Sequence, residues 1–134
     1  MIDITNIDVP QYLSMLTEQY HISPEYLPVE ITESVFAESN TIVKNTITRF
    51  HKKGFYVLMD DFGSGYSSLN VLKDANVDYL KLDMKFMQID AKNKGKGIQI
   101  LKSIVDMAYR LGLVIIAEGV ETKEQSEILK IHEL

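Results

Sequence analysis

The chain has 134 residues, 46% hydrophobic and 25% charged, which is enough apolar content for one domain with its own core and too much for a disordered segment. Its net charge of -5 argues against polymeric nucleic acid held through its phosphates, though a small anionic ligand fits if metal ions supply positive charge. The absence of cysteine excludes a disulfide scaffold and any thiolate metal site. No apolar run approaches the ~20 residues of a membrane span and no signal peptide leads the sequence, so a cytoplasmic protein is the expectation.

The chain opens on an extended apolar run at residues 2–5, interrupted by Asp3. A helix follows, opened by Pro10 and capped by Asp8, with Leu13, Leu16 and Tyr20 on one face. Ser23 and Pro24 start a turn before a second strand at residues 27–33. Residues 40–53 read as a helix with Ile42, Val43, Ile47 and Phe50 at helical spacing and Gly54 as its stop. The third strand, residues 56–61, runs into a glycine-bearing loop and a short helix at 67–73. The fourth strand is Tyr79–Asp83. Residues 91–97 are polar, basic and glycine-rich, the composition of a mobile surface loop. The clearest helix spans 97–111, with Ile98, Leu101, Ile104, Val105, Ala108 and Leu111 on one face and Gly112 at its end. Val114–Glu118 is the fifth strand, and Thr122 with Gln125 forms a capping box for a last helix carrying Ile128, Leu129 and Ile131.

This alternation predicts an α/β fold of parallel strands with right-handed crossovers, one domain over residues 1–134. Each strand carries or ends on a charged residue, and charge in a strand buried on both faces is costly unless it is paired or binds a metal. Five such strands in series predict a parallel (β/α) barrel, whose strand ends converge on one mouth. A closed barrel takes eight strands, so about five βα units predict a partial TIM-like barrel whose open edges promote self-association.

The residues that carry chemistry lie at those strand ends. Glu30 and Glu33 sit three apart, so an extended strand turns them to opposite sides: Glu30 into the mouth, Glu33 into the following loop. A capping acid at a helix start is an equally good reading of the pair. Asp60 and Asp61 follow an apolar run directly, and adjacent carboxylates there repel unless cations separate their roles. Carboxylate oxygens suit Mg²⁺ or Mn²⁺. Phe62, Gly63, Ser64, Gly65, Tyr66, Ser67 and Ser68 then form a loop suited to a positioned lid. Lys81 lies between two leucines in a strand, and a buried lysine needs partners. Facing carboxylates make it a stabiliser of negative charge, with a Schiff-base role as the rival. Asp83 faces the same side and is placed to position it. Glu118, ahead of Gly119, is a candidate general base or metal ligand. Glu121 reads as a helix-start acid. His21, His51 and His132 read as solvated, and the six methionines as core filler.

Taken together, Glu30-Ile-Thr-Glu33-Ser34, the run from Asp60 to Leu69, Lys81-Leu82-Asp83 and Ala117-Glu118-Gly119-Val120-Glu121-Thr122 resemble the EAL-domain family. These are bacterial phosphodiesterases that open cyclic di-GMP to linear pGpG with Mg²⁺ or Mn²⁺. The resemblance implies that Glu30 and Asp60 bind one metal and that Asp61 serves a second. Lys81 holds the hydrolytic water or neutralises charge, and Glu118 is a metal ligand or base. Glu33 tethers the loop 61–68, which in the family couples the site to dimerisation. The family's Glu-x-Leu strand does not precede Ile2, and Asp3 stands where the family's next strand carries a metal-binding Asn. The late Gln-Gly strand is also missing, so the middle of an EAL domain, with weak metal binding and low turnover, is the expectation. A non-catalytic remnant that binds cyclic di-GMP or a protein partner is the alternative. A metal-dependent barrel enzyme of another class, enolase-like or aldolase-like, is the reading that ignores the resemblance.

Overall fold

The computed structural model describes residues 8–38, 40–63, 69–85 and 95–131. The predicted strand at 2–5, with Asp3, lies outside them, as do Ser64, Gly65, Tyr66, Ser67, Ser68, most of the basic loop 91–97, and His132.

Helix α1 (Val9–Gln19) begins where expected: Asp8 is its N-cap and accepts the Gln11 N–H at 3.1 Å, with Pro10 in the first turn. A 3-10 turn at Pro24–Tyr26 leads to β1 (Val29–Thr32), and α2 (Glu33–Glu38) follows without a break. Of the two readings of Glu33, a loop after the strand or a helix start, the structure bears out the helix start. Helix α3 (Asn40–Lys52) and strand β2 (Val57–Phe62) come next, then α4 (Leu69–Asp74) and β3 (Tyr79–Asp83). The chain continues through α5 (Lys96–Arg110), β4 (Val114–Glu118) and α6 (Lys123–Leu129). The capping box of α6 is present: Thr122 Oγ1 accepts the Gln125 N–H at 3.1 Å, and Gln125 Oε1 accepts the Thr122 N–H at 3.1 Å.

The four strands form one parallel sheet in the order β1-β2-β3-β4, the connectivity of successive right-handed βα units. Alternation gives the sheet two unlike faces. Val57, Met59, Leu80 and Leu82 point toward the helices and are fully buried. Ile47 and Phe50 of α3, Leu72 of α4, and Leu101, Val105 and Ala108 of α5 close over them. The opposite face carries Glu30 level with Leu58, Lys81 level with Ile116, and Asp60 and Glu118 nearer the strand C-termini, with Tyr79 and Val114 below. There Val114 is 55% and Ile116 38% exposed. In a closed barrel such inward residues stack in layers against those of the remaining strands; four strands form a partial barrel with that face open. Four residues assigned to apolar faces are exposed: Tyr20 and Leu111 fall at helix C-caps, Ile42 lies in the first turn of α3, and Ile131 lies past the end of α6. The methionines divide, with Met59 and Met84 buried and Met15 exposed.

The N-terminal ends of the strands are pinned by Asp78. Its Oδ2 accepts the Val57 N–H at 2.7 Å and lies 2.8 Å from His51 Nε2 at the end of α3. His51 is therefore a half-buried partner of the sheet and not solvated as its sequence context suggested; the pairing partner lies 27 residues away. Asp8 and Arg49 form a second long-range ion pair, which ties α1 to α3.

Candidate active site

Lys81 is the centre of the charged end of the sheet. It sits on β3, and each of the other three strands brings one carboxylate to it. Its Nζ lies 2.8 Å from Glu118 Oε1 on β4, 3.4 Å from Glu30 Oε1 on β1 and 3.8 Å from Asp60 Oδ1 on β2. The lysine side chain is 15% exposed, against 57% for Glu118 and 51% for Glu30, so the ammonium lies beneath carboxylates that open toward solvent. The hydrogen bond donated to Glu118 is the main reason that Lys81 holds its proton well above the ordinary lysine range. Asp60 and Glu30 add attraction against the opposing effect of burial. An amine held protonated is a poor nucleophile, so this environment argues against the Schiff-base role.

The paired aspartates sit on a bulge. Met59 pairs with Leu80 and Phe62 with Leu82, so β2 spends one more residue than β3 over the same span. Asp61 takes the extra position with φ of 59°, left-handed backbone that Asp tolerates better than most residues, and its N–H donates to Asp60 Oδ1 at 2.8 Å. In a regular strand the two side chains would alternate; the bulge breaks that alternation at the mouth. Sequence reasoning singled out both aspartates, but nothing in the residue string locates a bulge.

Glu33, the first residue of α2, is 6% exposed, and its Oε2 accepts the Gly63 N–H at 3.4 Å. It is thus both a helix-start acid and a contact to the segment after β2, joining the two readings that the sequence set against each other. Gly63, at φ 92°, has the left-handed backbone that glycine adopts without penalty. Asp83 does not join the Lys81 cluster; its Oδ1 accepts the Lys85 N–H at 2.9 Å and fixes the turn after β3. Gly119 holds φ at 73° next to it, with a Cβ position 3.9 Å from Asp83 Oδ1.

The donor set suits a hard divalent cation in kind: all the groups at this mouth are carboxylates, on adjacent strand ends. Their arrangement is a different matter. Among the described residues, no three Asp, Glu, His or Cys side chains are grouped to hold one ion; the carboxylates gather round the ammonium instead.

A parallel sheet with amphipathic helices on one face and a carboxylate–lysine cluster on the other has the architecture of part of a (β/α)-barrel. The family model "EAL domain" matches residues 2–131, and the chain belongs to that family. It is 37% identical over 130 residues to the probable cyclic di-GMP phosphodiesterase PdeB of Escherichia coli, covering 96% of this chain and 24% of PdeB. Its fold matches the EAL domain of Mycobacterium smegmatis DcpA with a TM-score of 0.79 and 33% identity, over 92% of this chain and 55% of that one. It also matches a manganese and cyclic di-GMP complex of Klebsiella pneumoniae BlrP1, with a TM-score of 0.78 and 26% identity, over 92% of this chain and 31% of that one. The chain thus spans about a quarter of PdeB and about half of the DcpA domain. Among the described residues, no helix is long and apolar enough to cross a membrane.

Proposed function

We propose that this chain, as a single partial EAL domain over residues 1–134, is the central portion of a phosphodiesterase that opens cyclic di-GMP to linear pGpG. The observation that carries the reading is the convergence of Glu30, Asp60 and Glu118, one from each of the other three strands, on Lys81 Nζ. The relatives add the substrate: PdeB is named for cyclic di-GMP and BlrP1 was solved with it.

Glu30 and Asp60 would hold one divalent cation, with Asp3 as a further ligand, and Asp61 and Glu118 would serve a second. Mg²⁺ or Mn²⁺, when bound, supplies charge neutralisation at the phosphodiester. Lys81 contributes a fixed positive charge at the centre of the mouth, where the phosphoryl oxygens gain negative charge. Glu118 can hold a proton taken from the attacking nucleophile. Glu33 holds the segment at Gly63, and the loop 61–68 would contact the substrate or a second copy of the chain. The same loop, or a barrel edge such as that of β4 with its exposed Val114 and Ile116, would carry self-association. The cytoplasm, where a nucleotide messenger acts, is the setting this chemistry needs.

The test is chromatography of cyclic di-GMP and pGpG after incubation with Mn²⁺ or Mg²⁺. Turnover below the ordinary enzyme range of about 1–10³ per second, abolished by chelation and by Glu118→Gln, is the expected result. Binding without hydrolysis would favour a non-catalytic EAL remnant. The absence of both binding and hydrolysis would refute the proposal.

A further inference from the structure

We propose that Lys81 is an internal counter-cation of the acidic mouth, which competes with a divalent metal for Glu30, Asp60 and Glu118 and must release them before the metal settles. The inference rests on the reading that this mouth takes a divalent cation, and it adds what governs entry.

Position supports it first. Lys81 is on an inner strand of the sheet, and its three ion-pair partners come one each from β1, β2 and β4. Distance supports it next. The ammonium holds the carboxylate oxygens at 2.8 to 3.8 Å, whereas Mg²⁺ needs oxygens near ~2.1 Å in close to octahedral array. Carboxylates drawn in to that radius give up their geometry toward Lys81. The lack of any ready three-ligand group among the described residues follows: the donors are arranged for a cation already built into the chain. Exposure completes the argument. Lys81 is 15% exposed and reaches up from below, while Glu30 and Glu118 are more than half exposed. An incoming metal ion meets their outer oxygens first and pulls them from the lysine.

Charge gives the sign. Three carboxylates carry -3, and Lys81 reduces that to -2, so the lysine also repels an approaching dication. A unit charge a few ångströms from an ion is a strong effect even at an effective dielectric near ~20. Once the metal has taken the carboxylates, the released ammonium faces the mouth, where an anionic ligand can take their place. The lysine thus exchanges partners instead of losing them.

The experiment is a Mn²⁺ titration by calorimetry of the parent chain, Lys81→Met and Lys81→Arg. Lys81→Met should bind Mn²⁺ at least ~tenfold more tightly than the parent, since it removes both the competitor and the repulsion. Lys81→Arg keeps the charge and should stay within about threefold of the parent. Lysine methylene signals of the parent chain, followed by NMR, need no substitution: saturating Mg²⁺ should narrow the Lys81 resonance as its ammonium is released. Equal or weaker Mn²⁺ binding by a folded Lys81→Met overturns the proposal. So does an unchanged Lys81 signal at saturating Mg²⁺. No Mn²⁺ uptake by either the parent or Lys81→Met removes the metal reading as well. Absence of cyclic di-GMP turnover, with the binding order as stated, removes the proposed reaction and leaves the counter-cation role standing.

Discussion

Replacing Glu33 with alanine should release the segment after β2 without unfolding the sheet. Glu33 is 6% exposed, and its Oε2 accepts the Gly63 N–H at 3.4 Å. A hydrogen bond to a charged acceptor contributes about 1.5–3 kcal/mol, and 3.4 Å puts this one at the lower end. An acid in the first turn of a helix adds about 0.3–1 kcal/mol through the backbone dipole, which α2 loses as well. The sum is about 2 kcal/mol of local stability, or about 30-fold in the opening equilibrium at about 1.4 kcal/mol per factor of ten. Amide exchange read by NMR should therefore be about 30-fold faster at Gly63 in Glu33→Ala, while the amides of Met59 and Leu80 keep their protection. Glu33→Gln preserves an acceptor and loses only the charge, so it should fall between, at several-fold. Exchange at Gly63 within twofold of the parent in both variants would refute the tether and leave Glu33 a helix-start acid only.

Thr122→Ala removes the N-cap of α6 and should cost about 1 kcal/mol, seen as a midpoint lowered by about 3–5 °C for a domain of this size. Asp78→Ala strips the acceptor from the Val57 N–H, bonded at 2.7 Å, and the partner from His51. It should cost about 2–3 kcal/mol in urea unfolding, with Asp78→Asn costing less because it keeps an oxygen. The Asp8–Arg49 pair lowers the Asp8 pKa from 3.8, chiefly through the hydrogen bond from Arg49. Its contribution should be present above that value and be lost as pH falls through the lower, folded one; Asp8→Asn should flatten this acid limb of the stability curve. Lys81 is shifted upward, mainly by Glu118. Its contribution should be complete below the unfolded value of about 10.4 and be lost only as pH rises through the folded one. A stability curve that already falls with Lys81 deprotonation near neutral pH would contradict that assignment.

The parts of this fold legible in the sequence were those written in short-range periodicity. The buried face of α5, with Ile98, Leu101, Val105 and Ala108, follows from helical spacing alone, and all four are buried. The Thr122–Gln125 box is a four-residue signature and occurs as written. The strands β2, β3 and β4 were legible because each is a short apolar run with charge at or next to its end. What the string could not carry are relations between distant residues. The His51–Asp78 pair spans 27 positions and the Asp8–Arg49 pair 41, and neither has a local signal. The bulge at Asp60–Asp61 depends on the register of β3, which exists only after pairing. Helix α2 was legible only as one of two readings of Glu33, because no glycine or proline marks where β1 stops.

The candidate site divides the same way, and the division is physical. Which residues are charged at strand ends can be read off a line, since each is an exception to its own apolar run. Which of them meet depends on strand order. Glu30, Asp60 and Glu118 share Lys81 because β1, β2 and β4 lie on the same sheet as β3, with Lys81 one strand from two of them and two strands from the third. Asp83 has the same parity as Lys81 and the same claim by sequence, yet the turn to Lys85 takes its carboxylate. Asp83 and Glu118 are the last residues of β3 and β4 and pair in register, so strand position alone does not separate them; the turn to Lys85 brings an amide to Asp83, and Glu118 is left to the ammonium. Glu33, one step past β1, serves the Gly63 amide and not the lysine. The path the chain takes after each strand therefore separates the groups that hold backbone from the groups gathered round Lys81.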